Sequence, residues 1–180
     1  MWGVAGHNAV VNHESLYSWS QEYNRSAMRV TEYFSDSTYY YPSYPVNLKK
    51  VGVEGKAFLK NAQKLEEVKA QGVTLFECTV TDLVDAGTGA VKIEKTNILG
   101  SLVSKGKVVV IKSSTIDNLS LNPSDGMLNL KIVDSTISTF KMDYNGFCLG
   151  ASRIEGFFKY KSKDGKFNLF FKNVTIKNQE

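Results

Sequence analysis

The sequence predicts an all-β protein: a single-stranded parallel β-helix, or β-solenoid, of about seven coils with an N-terminal α-helical cap. Three observations carry this. Apolar anchors recur at Ala62, Val80, Ile98, Ile116, Ile137, Ile154 and Ile176, at spacings of 18, 18, 18, 21, 17 and 22 residues. Apolar residues also recur five positions before each anchor (Ala57, Leu75, Ile93, Ile111, Ile132, Leu149, Phe171) and, from the second copy on, seven before (Val73, Val91, Val109, Leu130, Phe147, Leu169). Most copies end on a glycine turn: Thr88-Gly89, Lys105-Gly106, Asp125-Gly126, Asn145-Gly146, Asp164-Gly165.

Apolar residues two apart with polar neighbours are the mark of a strand with one buried face. Valine, isoleucine, threonine and phenylalanine suit that surface. Glycine beside Asn or Asp supplies the positive φ of a tight turn. A repeat of about 20 residues cannot bury its apolar face alone, so copies must stack. An antiparallel sandwich would fit the strand lengths. It would not demand the same residue class at the same phase of every copy, and that favours the solenoid.

Residues 1–50 read as an N-terminal segment and residues 51–180 as the solenoid. Residues 1–13 hold Trp2, His7 and His13. Two histidines six apart are too few ligands for a metal, so none is expected. From about residue 14 to 34, Leu16, Trp19, Tyr23, Ala27, Val30 and Tyr33 recur at three and four, which predicts a helix. Its role would be to cap the first coil, since an open solenoid end exposes backbone and apolar side chains. The segment 35–45 is rich in tyrosine and proline and predicts a loop. Tyr39, Tyr40, Tyr41 and Tyr44 are candidate ligand-binding residues there, with aromatic faces suited to sugars. Residues 46–55 predict a strand that starts the stack, and the charged stretch 63–71 the solvated side of the first clear coil.

From residue 72 the coils run to the end of the chain. The residue before each anchor is Asn61, Thr79, Asn97, Thr115, Thr136, Arg153 or Thr175, which predicts a stacked Thr/Asn ladder. An ice-binding face would need Thr-x-Thr in successive coils, and only Thr79-Val80-Thr81 fits. The last coil carries Phe167, Phe170 and Phe171 with no cap after it, so these three are the candidate self-association residues.

The net charge is +4, with lysines scattered along the strands and no polybasic run, so nucleic acid is not an expected partner. No stretch reaches the 18 or so apolar residues of a membrane span. Cys78 and Cys148 fall in different columns three coils apart, roughly 14 Å, and read as free thiols. Residues 1–11 lack the basic start of a signal peptide. The expected location is the periplasm, cell surface or exterior if a leader has been removed, and the cytoplasm otherwise.

For catalysis, the candidates are Asp117, Asp134, Arg153 and Glu155, which would form an outer-face cluster of carboxylates and a base. Asp117 and Glu155 would lie two coils apart, roughly 9.6 Å, near the span of an inverting carboxylate pair. Ser138 intervenes, the turns are too short to build a cleft, and no P-loop, Gly-x-Ser-x-Gly or zinc spacing occurs. No catalytic residue and no cofactor is therefore expected.

The repeat over residues 55–180 resembles bacterial β-helix proteins of the scaffold and surface type, including the bactofilin group of polymer-forming proteins. It departs from bactofilins in having fewer glycines, irregular later spacings and an N-terminal helical pattern. The resemblance implies a rigid, non-enzymatic rod. Such a rod works through its faces or its end, on a protein partner or a second copy bound at the C-terminal coil. The alternative is a carbohydrate-binding or polysaccharide-cleaving β-helix.

Overall fold

The computed structural model describes residues 31–34, 38–40, 45–123, 126–142 and 152–180. Among them there is no α-helix, and every element is a strand. The first strands are β1 (Thr31–Phe34), β2 (Thr38–Tyr40), β3 (Val46–Asn47), β4 (Lys50–Val53), β5 (Ala57–Lys60), β6 (Ala62–Gln63) and β7 (Leu65–Lys69). Then come β8 (Val73–Phe76), β9 (Thr79–Asp85), β10 (Val91–Glu94), β11 (Asn97–Ser104), β12 (Val108–Lys112) and β13 (Thr115–Leu121). The chain ends with β14 (Leu128–Met142), β15 (Ser152–Lys161) and β16 (Phe167–Gln179).

The strands stack in parallel as a β-solenoid of about five turns. One side of the coil is the run β2-β5-β8-β10-β12-β14, here the first sheet. The other is β1-β4-β7-β9-β11-β13-β14, the second sheet. β14 belongs to both because its first half pairs with β12 and its second half with β13. β16 lies parallel to β14 along most of its length. The pair β3–β6 adds a short third side near the start.

The repeat columns become ladders. Val80, Ile98, Ile116, Ile137 and Ile176 are register partners in turn. So are Leu75, Ile93, Ile111, Ile132 and Phe171. All of them are buried. Removing each such side chain from water stabilises the fold by about 1.5–3 kcal/mol before chain entropy is counted.

The corner between the sheets is set by one residue per turn. Glu77, Lys95, Ser113, Asp134 and Asn173, each three before its anchor, all have positive φ. A left-handed residue reverses the side-chain alternation and swings the chain from one sheet to the next. Behind it runs a buried polar ladder. The Cys78 N–H donates to Thr96 Oγ1 (3.3 Å), the Thr96 N–H to Ser114 Oγ (3.1 Å) and the Ser114 N–H to Ser135 Oγ (3.1 Å). Each hydroxyl in turn donates to the carbonyl two residues back, at Glu94 (2.9 Å), Lys112 (2.7 Å) and Val133 (2.8 Å). Each of these three hydroxyls thus both accepts and donates, as burial requires. The ladder expected one residue later, at Thr79, Asn97, Thr115, Thr136 and Thr175, is a register-aligned outer column of the second sheet.

Several expectations need correction. The helix placed at 14–34 lies outside the described residues up to residue 30, and Thr31–Phe34 is a strand on β4. Thr38–Tyr40 is a strand rather than loop, because Thr-Tyr-Tyr is β-favouring and falls in phase with Ala57-Phe58-Leu59. In the first clear coil, Leu59 and Leu65 take the places assigned to Ala57 and Ala62. Two left-handed residues there, Asn61 and Lys64, add the extra side that holds β6. The count of seven coils fails chiefly at Ile154. That residue lies in β15, which runs antiparallel to β16, while Ile137 pairs directly with Ile176. The spacings of 17 and 22 are one inserted hairpin arm, closed by the Asp164-Gly165 turn. In that turn Ser162 Oγ accepts the Lys166 and Phe167 N–H groups (2.9 and 3.0 Å).

β15 therefore covers the edge of the last parallel rung, which the sequence left open. Phe158 stacks on Phe171 and Tyr160 on Phe167, with centroids 5.9 and 5.6 Å apart.

Candidate binding face

On the first sheet, residues that alternate with the core ladder point outward and fall into a short column, Val108, Asn129, Asn168 and Lys161, and two long ones. One runs Phe58, Thr74, Lys92, Val110, Lys131, Phe170, Lys159. The other runs Lys60, Phe76, Glu94, Lys112, Val133, Lys172, Phe157. From β10 to β15 every rung places one lysine on the two long columns: Lys92, Lys112, Lys131, Lys172, Lys159. The rungs are about 4.8 Å apart, so the positive charges form a staggered line roughly 20 Å long. The two long columns hold six lysines and one glutamate, a larger surplus than the +4 of the whole chain.

The phenyl rings hold the ammonium groups. Lys131 and Lys159 lie over Phe170, with Nζ 5.4 and 5.5 Å from the centroid. Lys60 and Lys95 flank Phe76 at 5.4 and 5.5 Å, and Lys172 lies 5.4 Å from Phe157. Phe157 tilts against Phe170 at 5.7 Å and is 67% exposed. Each such contact contributes about 0.5–1 kcal/mol at an exposed site and restricts a long, mobile side chain.

A shallow depression of about 210 Å³ opens in the same face. Its lining joins apolar Val108, Val110 and Phe170 to polar Asn129, Asn168 and Lys131. Asn168 Nδ2 donates to Asn129 Oδ1 at 3.4 Å.

The second sheet presents a different surface. Its outer positions include Thr79, Asn97, Thr115, Thr136 and Thr175 in one column and Ser101, Asn118 and Thr139 in another. Its charges are of both signs, with Glu67, Lys69, Asp85, Asp117 and Lys141.

The sequence candidates fall as follows. Tyr39 and Tyr40 are in β2, and Tyr39 takes the register position beside Phe58, one rung beyond the outer column. Tyr41 and Tyr44 lie outside the described residues, as do His7, His13 and Cys148. Phe167 and Phe171 point into the core, and of the three C-terminal phenylalanines only Phe170 reaches the surface. Asp117 and Glu155 do not share a column. Glu155 sits at the bulge of β15 and pairs with Arg153 (3.4 Å), both about 77% exposed. Asp117 accepts from Asn118 Nδ2 at 3.2 Å, and Asp134 from Asn173 Nδ2 at 3.1 Å. The inserted hairpin is the reason: it breaks the two-coil spacing assumed for that pair.

No group of three or more His, Cys, Asp or Glu side chains among the described residues could hold a metal. No helix there is long and apolar enough to cross a membrane. Cys78 is buried, and burial pushes its thiol up to about 11, which leaves it unreactive at neutral pH.

The sequence reading missed Lys92, Lys112, Lys131, Lys172 and Lys159, describing the lysines as scattered. A signal for the first four existed. They stand six or four before an anchor, beside the core positions that were tracked. Lys159 had no such signal, because its strand runs antiparallel.

Compared with protein-family models, curated proteins and solved structures, the chain matches none.

Proposed function

We propose that this β-solenoid is a non-enzymatic interaction protein that docks an acidic partner on the outer face of its first sheet. The observation that carries this is the charge asymmetry between the faces: one lysine per rung in the long columns of the first sheet, mixed charge on the second. Stacked strands fix those lysines at a regular pitch, and the rings beside Lys131, Lys159 and Lys172 reduce the entropy those side chains lose on binding. Attraction between a patterned basic face and an acidic partner raises encounter rate and sets orientation. The C-terminal end is the weaker candidate surface. β15 already covers the last rung, and its bulge, Lys159 and Lys161 are devices that discourage edge pairing.

Binding to a panel of acidic macromolecules (a protein, a glycan and an oligonucleotide) tests the proposal. It should be compared for native protein and for Lys92→Glu/Lys131→Glu/Lys172→Glu. At least one probe is expected to bind natively and to be lost on charge reversal. Binding indifferent to the reversal, or turnover of any probe, contradicts the proposal.

A further inference from the structure

Resting on the docking face just described, we infer that its partner is a linear acidic polysaccharide, a glycan carrying carboxylate or sulfate groups, lying along the solenoid axis. Three features of the face select this chemistry over other polyanions.

The first is the depression between β12, β14 and β16. Val108 and Val110 in its apolar lining suit the flat apolar face of one sugar ring, the Phe170 ring beside them being taken up by Lys131 and Lys159. Asn129 and Asn168 line it as well, where ring hydroxyls would meet the donor and acceptor of a side-chain amide. Lys131, in the same lining, would meet the acidic substituent. At about 210 Å³ the site is small for a drug-sized ligand and suited to one ring of a longer chain.

The second is the state of the aromatic rings. Single-stranded nucleic acid binds by stacking bases on open aromatic faces. Here Phe76 has two lysines over it, and so has Phe170. The rings position ammonium groups instead of offering free platforms. The face also lacks arginine, the side chain that grips phosphate in a bidentate fork.

The third is geometry. A flat sheet with one charge per rung matches a stiff, straight polymer with acidic groups repeating at a similar pitch. A duplex would touch such a plane along one ridge only. A membrane surface would call for protruding apolar anchors, and among the described residues Phe157 is the one strongly exposed ring on the face.

The test is a calorimetric titration of the full chain with four probes. These are a polygalacturonate fragment, its methyl ester, a single-stranded oligonucleotide of equal charge, and phosphatidylserine vesicles. Native protein is expected to bind the polygalacturonate and to ignore the ester, which keeps the backbone and loses the charge. The triple Lys→Glu variant should bind at least about ten-fold more weakly. Asn129→Ala/Asn168→Ala should weaken it several-fold without changing its salt dependence, which separates a sugar site from simple charge attraction. Urea midpoints close to native for each variant guard against misfolding, and Lys92→Gln/Lys131→Gln/Lys172→Gln serves as the gentler alternative. Equal or tighter face-dependent binding of the oligonucleotide or vesicles overturns the polysaccharide inference and leaves the docking face standing. No face-dependent binding of any acidic probe overturns both.

Discussion

The two outer faces of this solenoid are backed by two similar ladders of buried apolar residues, yet they differ in kind. The first sheet carries lysines interleaved with phenylalanine and valine; the second carries threonine, serine, asparagine and charges of both signs. Packing cannot account for the difference, because outward positions on both sheets are free to be any soluble residue that tolerates a strand. A scaffold that needed only solubility would mix its charges on both sides. Crowding lysines onto one face adds self-repulsion, so the arrangement makes physical sense where something acidic offsets it.

The largest expected effect breaks both faces together. Ile111→Ala empties a fully buried site between Val110 and Lys112 and should destabilise the protein by about 2–5 kcal/mol in urea unfolding. Next is the corner that divides the faces, where Cys78 ends the polar ladder. Its folded pKa of about 11 lies above the ordinary 9.0. A raised acid favours the protonated, folded form, so this contribution is full below pH 9 and is lost as pH rises toward 11. The loss should reach about 2–3 kcal/mol and vanish in Cys78→Ser. Within the same ladder, Ser114→Ala leaves the Thr96 N–H without its acceptor and should cost about 1–3 kcal/mol.

The smallest pair sharpens the contrast between the faces directly. Phe170→Leu removes the ring under two lysines and should cost about 1 kcal/mol, with greater mobility of Lys131 and Lys159 by side-chain NMR. Thr115→Ala, exposed on the second sheet, should stay within about 0.5 kcal/mol of native. Equal effects would mean that the rings of the first sheet organise nothing.

The parallel rungs were legible in the sequence because each turn repeats the same chemistry. From Val80 to Ile137 the anchors predict the register pairs directly, and Ile176 belongs to the same column. The failures come where the chain leaves that repeat. Asn61 and Lys64 insert a short side that shifts the first coil, and nothing in side-chain type marks a left-handed lysine. Ile154 mimics an anchor because an antiparallel strand shows the same period-2 alternation as a parallel one. The lysine-bearing face was hidden for a different reason. Lys92, Lys112 and Lys131 are about 20 residues apart in the chain, and only the coil pitch brings them within a few strands of each other. The tyrosines stand out by their density in sequence, whereas the face gathers its members from seven separate strands.

The most direct measurement is the salt concentration at which variants leave a sulfonate cation-exchange resin. Lys92→Glu/Lys131→Glu/Lys172→Glu should be compared with Lys69→Glu/Lys105→Glu/Lys141→Glu, which carries the same net charge but leaves the first-sheet face intact. The first triple is expected to elute at much lower salt than the second. Equal shifts would contradict the account, because they would mean that no single face gathers the positive charge.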